Sequence, residues 1–409
     1  MREVNLDRIR KFPWELMRVK NQTYEMCIEA VKREGLLLKI IKWSELSLSD
    51  EQINNLYITA VKQNGYALQY VKRQTPEICL LAVKERGGAL EYVKWNELEG
   101  ELSKDQIDEI CKEAVKKNGL ALQYVKKQTP GLCLIAVKQN GLALKYIKKQ
   151  SPEICIEAVK NNEFALYYVK EQTPEICLEA VKHCGLVLEY VKWDELSKEQ
   201  IDKICIEAVK SYGTALKFIE NQTKELCLEA VKANPYALYY VEEQSDEICM
   251  EAVRRNGLVL EFVEEQTEEI CLEAVKQNGM AVKYVKKQTS EICLIAVRKN
   301  GLALGYVENK IYEVCKEALK QNKCAIKYII DKEKYLKEFG IKYLEAHGKV
   351  REVIAVKENN KWLFTLGCQY EITKEKFIYR IYNEDGGFNL EKGVNVHRQV
   401  YLDFLKEFE

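Results

Sequence analysis

The chain has 409 residues, 47% of them apolar and 31% charged, and its 63 basic and 63 acidic residues leave no formal net charge. No apolar run approaches the roughly 20 residues of a membrane span, and the charged opening MREVNLDRIRKF lacks the apolar stretch of a signal peptide. A folded chain in a reducing cytoplasm is expected, where disulfides rarely persist.

Residues 1–20, with Phe12, Trp14 and Leu16, read as a cap over the first repeat. Residues 21–330 then repeat every 22 residues. Cys111, Cys133, Cys155 and Cys177 share that spacing, as do Cys205, Cys227, Cys249, Cys271, Cys293 and Cys315. Cys27 and Cys79 complete the set once Tyr57 is accepted in one slot, giving 13 repeats with cysteine in 12. Each unit splits into two short helices. Thr173 is placed as an N-cap with Pro174 in the first turn, and Ile176, Cys177, Ala180 and Val181 line one face. Asn140-Gly141 ends the first helix, the glycine being assigned a left-handed C-cap. Leu142, Leu144, Tyr146 and Ile147 give the packing side of the second.

Three junctions are longer, and each puts a serine (Ser49, Ser103, Ser197) eight residues before its cysteine slot, with Gln52, Gln106 or Gln200 three residues on. That is a capping box. Four extra residues make about one helical turn, so the first helix lengthens in phase and Trp43, Trp95 and Trp193 fall in the loop before it. One hairpin cannot bury its own apolar face, whereas stacked neighbours can. The expected fold is mainly α: an α-solenoid of 22-residue helix-turn-helix repeats with a small C-terminal α+β domain.

Residues 331–348 read as a closing helix or linker, and residues 349–409 as that small domain. REVIAVKENNKWLFTLGCQY suggests two strands joined at Asn359-Asn360. EITKEKFIYRIYNEDGG suggests a helix from a Thr373 cap to Gly386-Gly387. Val400, Tyr401, Phe404, Leu405 and Phe408 have helical spacing.

The AVKQNGLAL core at Ala136 to Leu144, nearly repeated at Ala114 to Leu122 and Ala296 to Leu304, resembles the signature of a short repeat family, domain of unknown function 4116. That family occurs in large viruses, protists and host-associated bacteria. The resemblance covers about residues 21 to 330 and implies no activity. The C-terminal region resembles no family we recognise.

Several ladders could carry chemistry. Cysteines one layer apart are too distant for disulfides, which need Cα atoms within about 7 Å, and no C-x-x-C pair or histidine cluster suggests a metal. They read as core, and no cofactor is expected. A basic residue follows Ala-Val or Ala-Leu in all 13 repeats, with Glu three residues earlier in 9, as in Glu157 and Lys160. This reads as a solvated face with i,i+3 pairs. The tyrosine slot, as at Tyr124, reads as core packing rather than a platform for bases. The row of Asn118, Asn140, Asn162, Asn256, Asn278 and Asn300 reads as helix termination.

Charge is distributed unevenly along the chain. Cys111 to Lys170 holds 11 basic and 4 acidic residues, and Glu220 to Glu273 holds 4 basic and 14 acidic. The swap lies largely at VKKQ from Val125 against VEEQ from Val241 and Val263. Either charge would be solvated there, so stability is not expected to require it, and a concentrated field selects partners by sign. Glu242, Glu243, Asp246, Glu247, Glu264, Glu265, Glu268 and Glu269 would suit a basic partner; Lys116, Lys117, Lys126, Lys127, Lys148 and Lys149 would suit an acidic one. The expectation is a non-enzymatic protein-binding scaffold or inhibitor using the acidic segment 220–273. Self-association is the simpler variant. Alternatives are nucleic-acid mimicry against a nucleic-acid-handling complex, and direct nucleic-acid binding by residues 111–170. A further alternative is an effector with a catalytic C-terminal domain, for which Cys368, His397, Arg398 and Asp385 are the candidates. No phosphate-binding glycine loop is present.

Overall fold

A computed structural model of the chain describes residues 5–98, 103–348, 350–366, 369–383, 388–389, 394–395 and 397–408. It divides into two compact units, Met1–Ile219 and Glu220–Glu409. No helix among the described residues is long and apolar enough to cross a membrane.

Unit 1 contains the first eight repeats. A standard repeat is a ten-residue α-helix followed after one residue by a six-residue 3₁₀ helix, as in Pro130–Gln139 and Gly141–Tyr146. Thr129 Oγ1 accepts from the Leu132 amide and Pro130 opens the helix, as the sequence implies. The three expanded helices, Asp50–Gln63, Lys104–Lys117 and Lys198–Ser211, are 14 residues long with both halves of each capping box formed. One added turn keeps Tyr57, Cys111 and Cys205 buried in the cysteine slot.

The second helix is 3₁₀ rather than α. Its buried positions recur every three residues, as at Gly141, Leu144 and Ile147, with Ala143 beside them, matching three residues per turn. This register leaves the tyrosine slot at the edge of the core. Tyr124, Tyr146 and Tyr168 are half-buried, so each is packed in part and reaches the surface in part, while the aliphatic residues fill the interior.

The glycine assignment also changes. Asn140 is extended (φ −153°), and the positive-φ glycines among the described residues are Gly340 and Gly348. Gly141 is required by close approach: a Cβ there would lie 2.3 Å from the Ala158 carbonyl oxygen of the next repeat. Asn140 does end the helix Pro130–Gln139, its amide donating to the Ala136 carbonyl, and it also caps the 3₁₀ helix Gly141–Tyr146, its Oδ1 accepting from the Leu142 amide at 3.0 Å. Pro235 can occupy the glycine slot and start a 3₁₀ helix, because no positive φ is needed there.

The N-terminal cap is itself a shortened repeat, with an α-helix at Leu6–Lys11 and a 3₁₀ helix at Pro13–Arg18. Ile9 and Leu16 are buried, whereas Phe12 and Trp14 stay exposed. Arg8 and Glu15 form an ion pair where Ala30 and Leu37 stand 22 residues later. The Arg8 guanidinium holds the Glu15 carboxyl below its usual range.

Unit 2 holds the last five repeats and the sheet. After the helix Glu333–Phe339, four antiparallel strands run in the order β1 (Ile341–Leu344), β2 (Val353–Glu358), β3 (Lys361–Leu366) and β4 (Gln369–Thr373). Asn359 and Asn360, both at positive φ, make the two-residue β2–β3 turn expected at that point. The sheet takes β1 from the segment read as closing helix or linker, pairing Ile341 with Val356. The helix Lys374–Asn383 begins at Thr373, whose Oγ1 accepts from the Lys376 amide; Gly386-Gly387 lies outside the described residues. The helix Arg398–Leu405 sends Tyr401, Phe404 and Leu405 against Phe364 and Phe377.

Candidate functional site: the loop edge of the repeats

In the repeats VKKQ and VEEQ run from the 3₁₀ helix to the next α-helix. The glutamine, to which the charge pattern draws no attention, ties successive repeats together. Gln172 Nε2 donates to the carbonyls of Leu166 (3.3 Å) and Tyr190 (2.9 Å), and its Oε1 accepts from the Lys192 amide at 2.9 Å. Its Oε1 also receives the Cys177 thiol at 3.6 Å. Gln22 and Gln74 make the same four contacts in unit 1, and Gln266 makes them in unit 2. The cysteine is therefore a small core group that points a weak donor at the glutamine. Burial pushes the Cys177 thiol up to about 11 and Cys79 to about 12, which keeps both neutral. An uncharged Gln recurring inside a charged tetrapeptide is the signal that would have revealed this.

At five positions the lysine that follows Val or Ile has a structural job. Lys42, Lys94, Lys170 and Lys192 in unit 1 send Nζ to the main-chain carbonyl 22 residues earlier, at 2.9–3.2 Å. Lys286 in unit 2 donates to the Glu264 carbonyl at 2.6 Å. At those five positions the expectation that either charge serves equally well is corrected, because glutamate cannot donate; Glu242 and Glu264 give up the tie that Lys170 and Lys286 make.

All eight acidic candidates are exposed. Glu242, Glu243, Glu264 and Glu265 lie in the loops, with Asp246, Glu247, Glu268 and Glu269 in the first turns of the helices Asp246–Arg255 and Glu268–Gln277. Loop and first turn share one edge of each repeat, and the partial positive charge at a helix start favours carboxylates. Glu247 is paired with Lys224. The six lysines divide between two edges. Lys126, Lys127, Lys148 and Lys149 occupy the loop edge, while Lys116 and Lys117 end the helix Lys104–Lys117 a full helix length away. Lys116 pairs with Glu113 at 2.7 Å.

The Glu–Lys ladder is used in pairs along the α face. Lys32–Glu29, Lys182–Glu179 and Lys320–Glu317 close i,i+3 bridges, and Lys138–Glu157 and Arg298–Glu317 cross between neighbouring repeats. Among the described residues no group of three or more His, Cys, Asp or Glu could hold a metal. Of the C-terminal candidates, Cys368 and Asp385 lie outside the described residues. Arg398 lies over the Tyr382 ring at 4.7 Å, and His397 immediately precedes the helix Arg398–Leu405.

These contacts account for the repeated motif. The Ala carbonyl receives the close approach of the preceding repeat's glycine, and Val fills the core. Gln139 Oε1 accepts from the Gly119 amide of that repeat at 2.6 Å, while Asn caps the 3₁₀ helix. The sequence pattern of the family described as Domain of unknown function (DUF4116) matches seven times, at residues 55–99, 107–150, 129–173, 173–223, 223–267, 267–312 and 290–333. The chain belongs to this family. In this chain the residues that recur in each repeat are the ones that join it to the next. No curated protein matches the chain.

Proposed function

We propose that the protein is a non-enzymatic binding scaffold or inhibitor whose acidic loop edge, centred on Glu242, Glu243, Glu264 and Glu265, captures a basic protein partner. One observation carries this reading: at Glu242 and Glu264 the chain forgoes a lysine-to-carbonyl tie that it uses at Lys42, Lys94, Lys170, Lys192 and Lys286. A solvent-facing carboxylate that replaces a stabilising contact is better explained by recognition than by folding. Coulomb attraction in such a field accelerates encounter with cations and falls as salt rises.

The test is fluorescence anisotropy with a labelled decalysine peptide. Wild-type protein should bind it in a salt-dependent way. Replacing Glu242, Glu243, Glu264 and Glu265 together by Lys should weaken binding more than about tenfold without lowering the melting temperature. Unchanged peptide affinity would remove the acidic edge as the contact surface. Single-stranded RNA, run in parallel against Lys126→Glu/Lys127→Glu, separates the nucleic-acid alternative: RNA binding that depends on those lysines would favour the basic segment instead.

A further inference from the structure

Unit 2 carries an exposed aromatic group next to its acidic loops. Tyr239 is 65% exposed and Tyr236 48%. Tyr239 meets Tyr240 at 5.0 Å and Phe262 at 5.3 Å, with ring planes at 84° and 73°. Tyr236 meets Phe262 at 6.2 Å. The group sits where Pro235 takes the glycine slot, and the 3₁₀ helices Pro235–Tyr240 and Gly257–Phe262 pack less closely than neighbours that keep the glycine. Edge-to-face rings line the wider gap, and Tyr239 stays mostly exposed to solvent. Tyr239 lies three residues before Glu242, a chain reach of about 10 Å, and exposed Glu261 adjoins Phe262.

Unit 1 holds a matched group where Glu163 takes the glycine slot. There Phe164, Tyr167, Tyr168 and Tyr190 meet at similar distances and angles. Its charge setting is reversed: Lys145 lies 5.9 Å from the Tyr168 ring centroid, and the loop after it begins with Lys170. Within unit 2, no described Lys or Arg lies over Tyr236, Tyr239, Tyr240 or Phe262.

We infer that the Tyr239 group and the carboxylates of the two following loops form one seat for an arginine-bearing extended segment of the partner, a guanidinium stacking on Tyr239 while its neighbours pair with Glu242, Glu243, Glu264 and Glu265. The inference rests on the acidic-edge reading and adds what that edge selects. Arginine is favoured over lysine because its planar, weakly hydrated cation stacks on an aromatic face and still donates sideways to carboxylates. The geometry sets a spacing as well. Packed helices lie about 8–10 Å apart, and a polyproline II segment returns a side chain to the same face every third residue, about 9 Å on. The partner motif is therefore Arg-x-x-Arg, one arginine per repeat.

The experiment uses the full chain and two labelled peptides, Arg-Pro-Pro and Lys-Pro-Pro, each repeated three times. The arginine peptide should bind at least about fivefold tighter, a difference of roughly 1 kcal/mol. Tyr239→Ala should abolish that preference, Tyr239→Phe should keep it, and Tyr167→Ala should leave it unchanged. If both peptides bind alike and Tyr239→Ala changes neither, while the fourfold charge reversal abolishes both, the aromatic seat is refuted and the acidic edge survives. If charge reversal also has no effect, both fall together.

Discussion

The lysine loops of unit 1, such as IKKQ at 147–150 and VKEQ at 169–172, and the VEEQ loops of unit 2 are built on the same backbone and differ in one functional respect. In both, glutamine satisfies the main chain between repeats: Gln150 bonds the Tyr168 carbonyl and the Lys170 amide, and Gln244 bonds the Phe262 carbonyl and the Glu264 amide. The difference is in the residue after Val. Lys170 returns to the Lys148 carbonyl, while Glu264 is exposed to solvent. Interior positions are constrained by bonding that repeats of both units share. The edge is where repeats diverge, so divergence that costs a contact marks a selected surface.

The largest effect should come from the glycine slot. Gly141→Ala places a Cβ against the Ala158 carbonyl, a backbone atom that cannot yield, and should cost about 3 kcal/mol, read as a drop in melting temperature. Glu163→Gly, at a slot that already tolerates a side chain, should change stability far less. Equal losses would show that close approach is not what the glycine serves.

Gln172→Leu preserves volume but strands two carbonyls and an amide near the core. With unsatisfied buried groups costing about 1–3 kcal/mol each, and solvent reaching the two part-buried partners, a loss of about 2 kcal/mol is expected in denaturant unfolding. Because acidic and basic repeats share this bond, Gln244→Leu should cost a similar amount. A markedly smaller loss there would mean that the two loop types differ inside as well as outside.

Alkaline pH probes the cysteine row in both units. Burial pushes Cys27, Cys111, Cys155, Cys177, Cys205 and Cys249 up to about 11 from an ordinary value of 9.0. Above pH 9 the unfolded chain loses thiol protons that the folded chain retains, so the unfolded state gains. The thiol contribution should be intact below pH 9 and decline between pH 9 and 11. Unfolding followed across that window checks the sign, and native protein at pH 8 should show slow alkylation at these sites.

The smallest effect is the most discriminating for the loop comparison. Glu264→Lys supplies the missing donor to the Glu242 carbonyl and should stabilise by about 0.5 kcal/mol, the reverse of what removing a useful surface charge pair would do. Lys170→Ala should lose about the same amount.

Much of the architecture was legible in the sequence because it is local and repeated. Caps at Thr173 and Ser197, the helical turn added in three junctions, the buried cysteine row and the Asn359-Asn360 hairpin arise from side-chain and backbone preferences within a few residues. The features that were misread depend on contacts between repeats. Gly141 looks like a C-cap until the Ala158 carbonyl is seen against it. Tyr146 looks like full core until the second helix is recognised as 3₁₀, which moves that slot to the core's edge by the difference between 3.6 and 3.0 residues per turn. Strand β1 was hidden because IKYLE continues a charged helical pattern and pairs only with residues further along the chain. At the loop edge the charge swap was visible, but its structural cost was not, since the lysine's partner lies 22 residues away.

The most direct test of the central claim is one variant with two readouts, Glu242→Lys/Glu264→Lys measured for melting temperature and for binding of the Arg-Pro-Pro peptide. A melting temperature equal to or above wild type, with peptide binding lost, is the predicted result. A lowered melting temperature with binding retained would show that these carboxylates serve the fold.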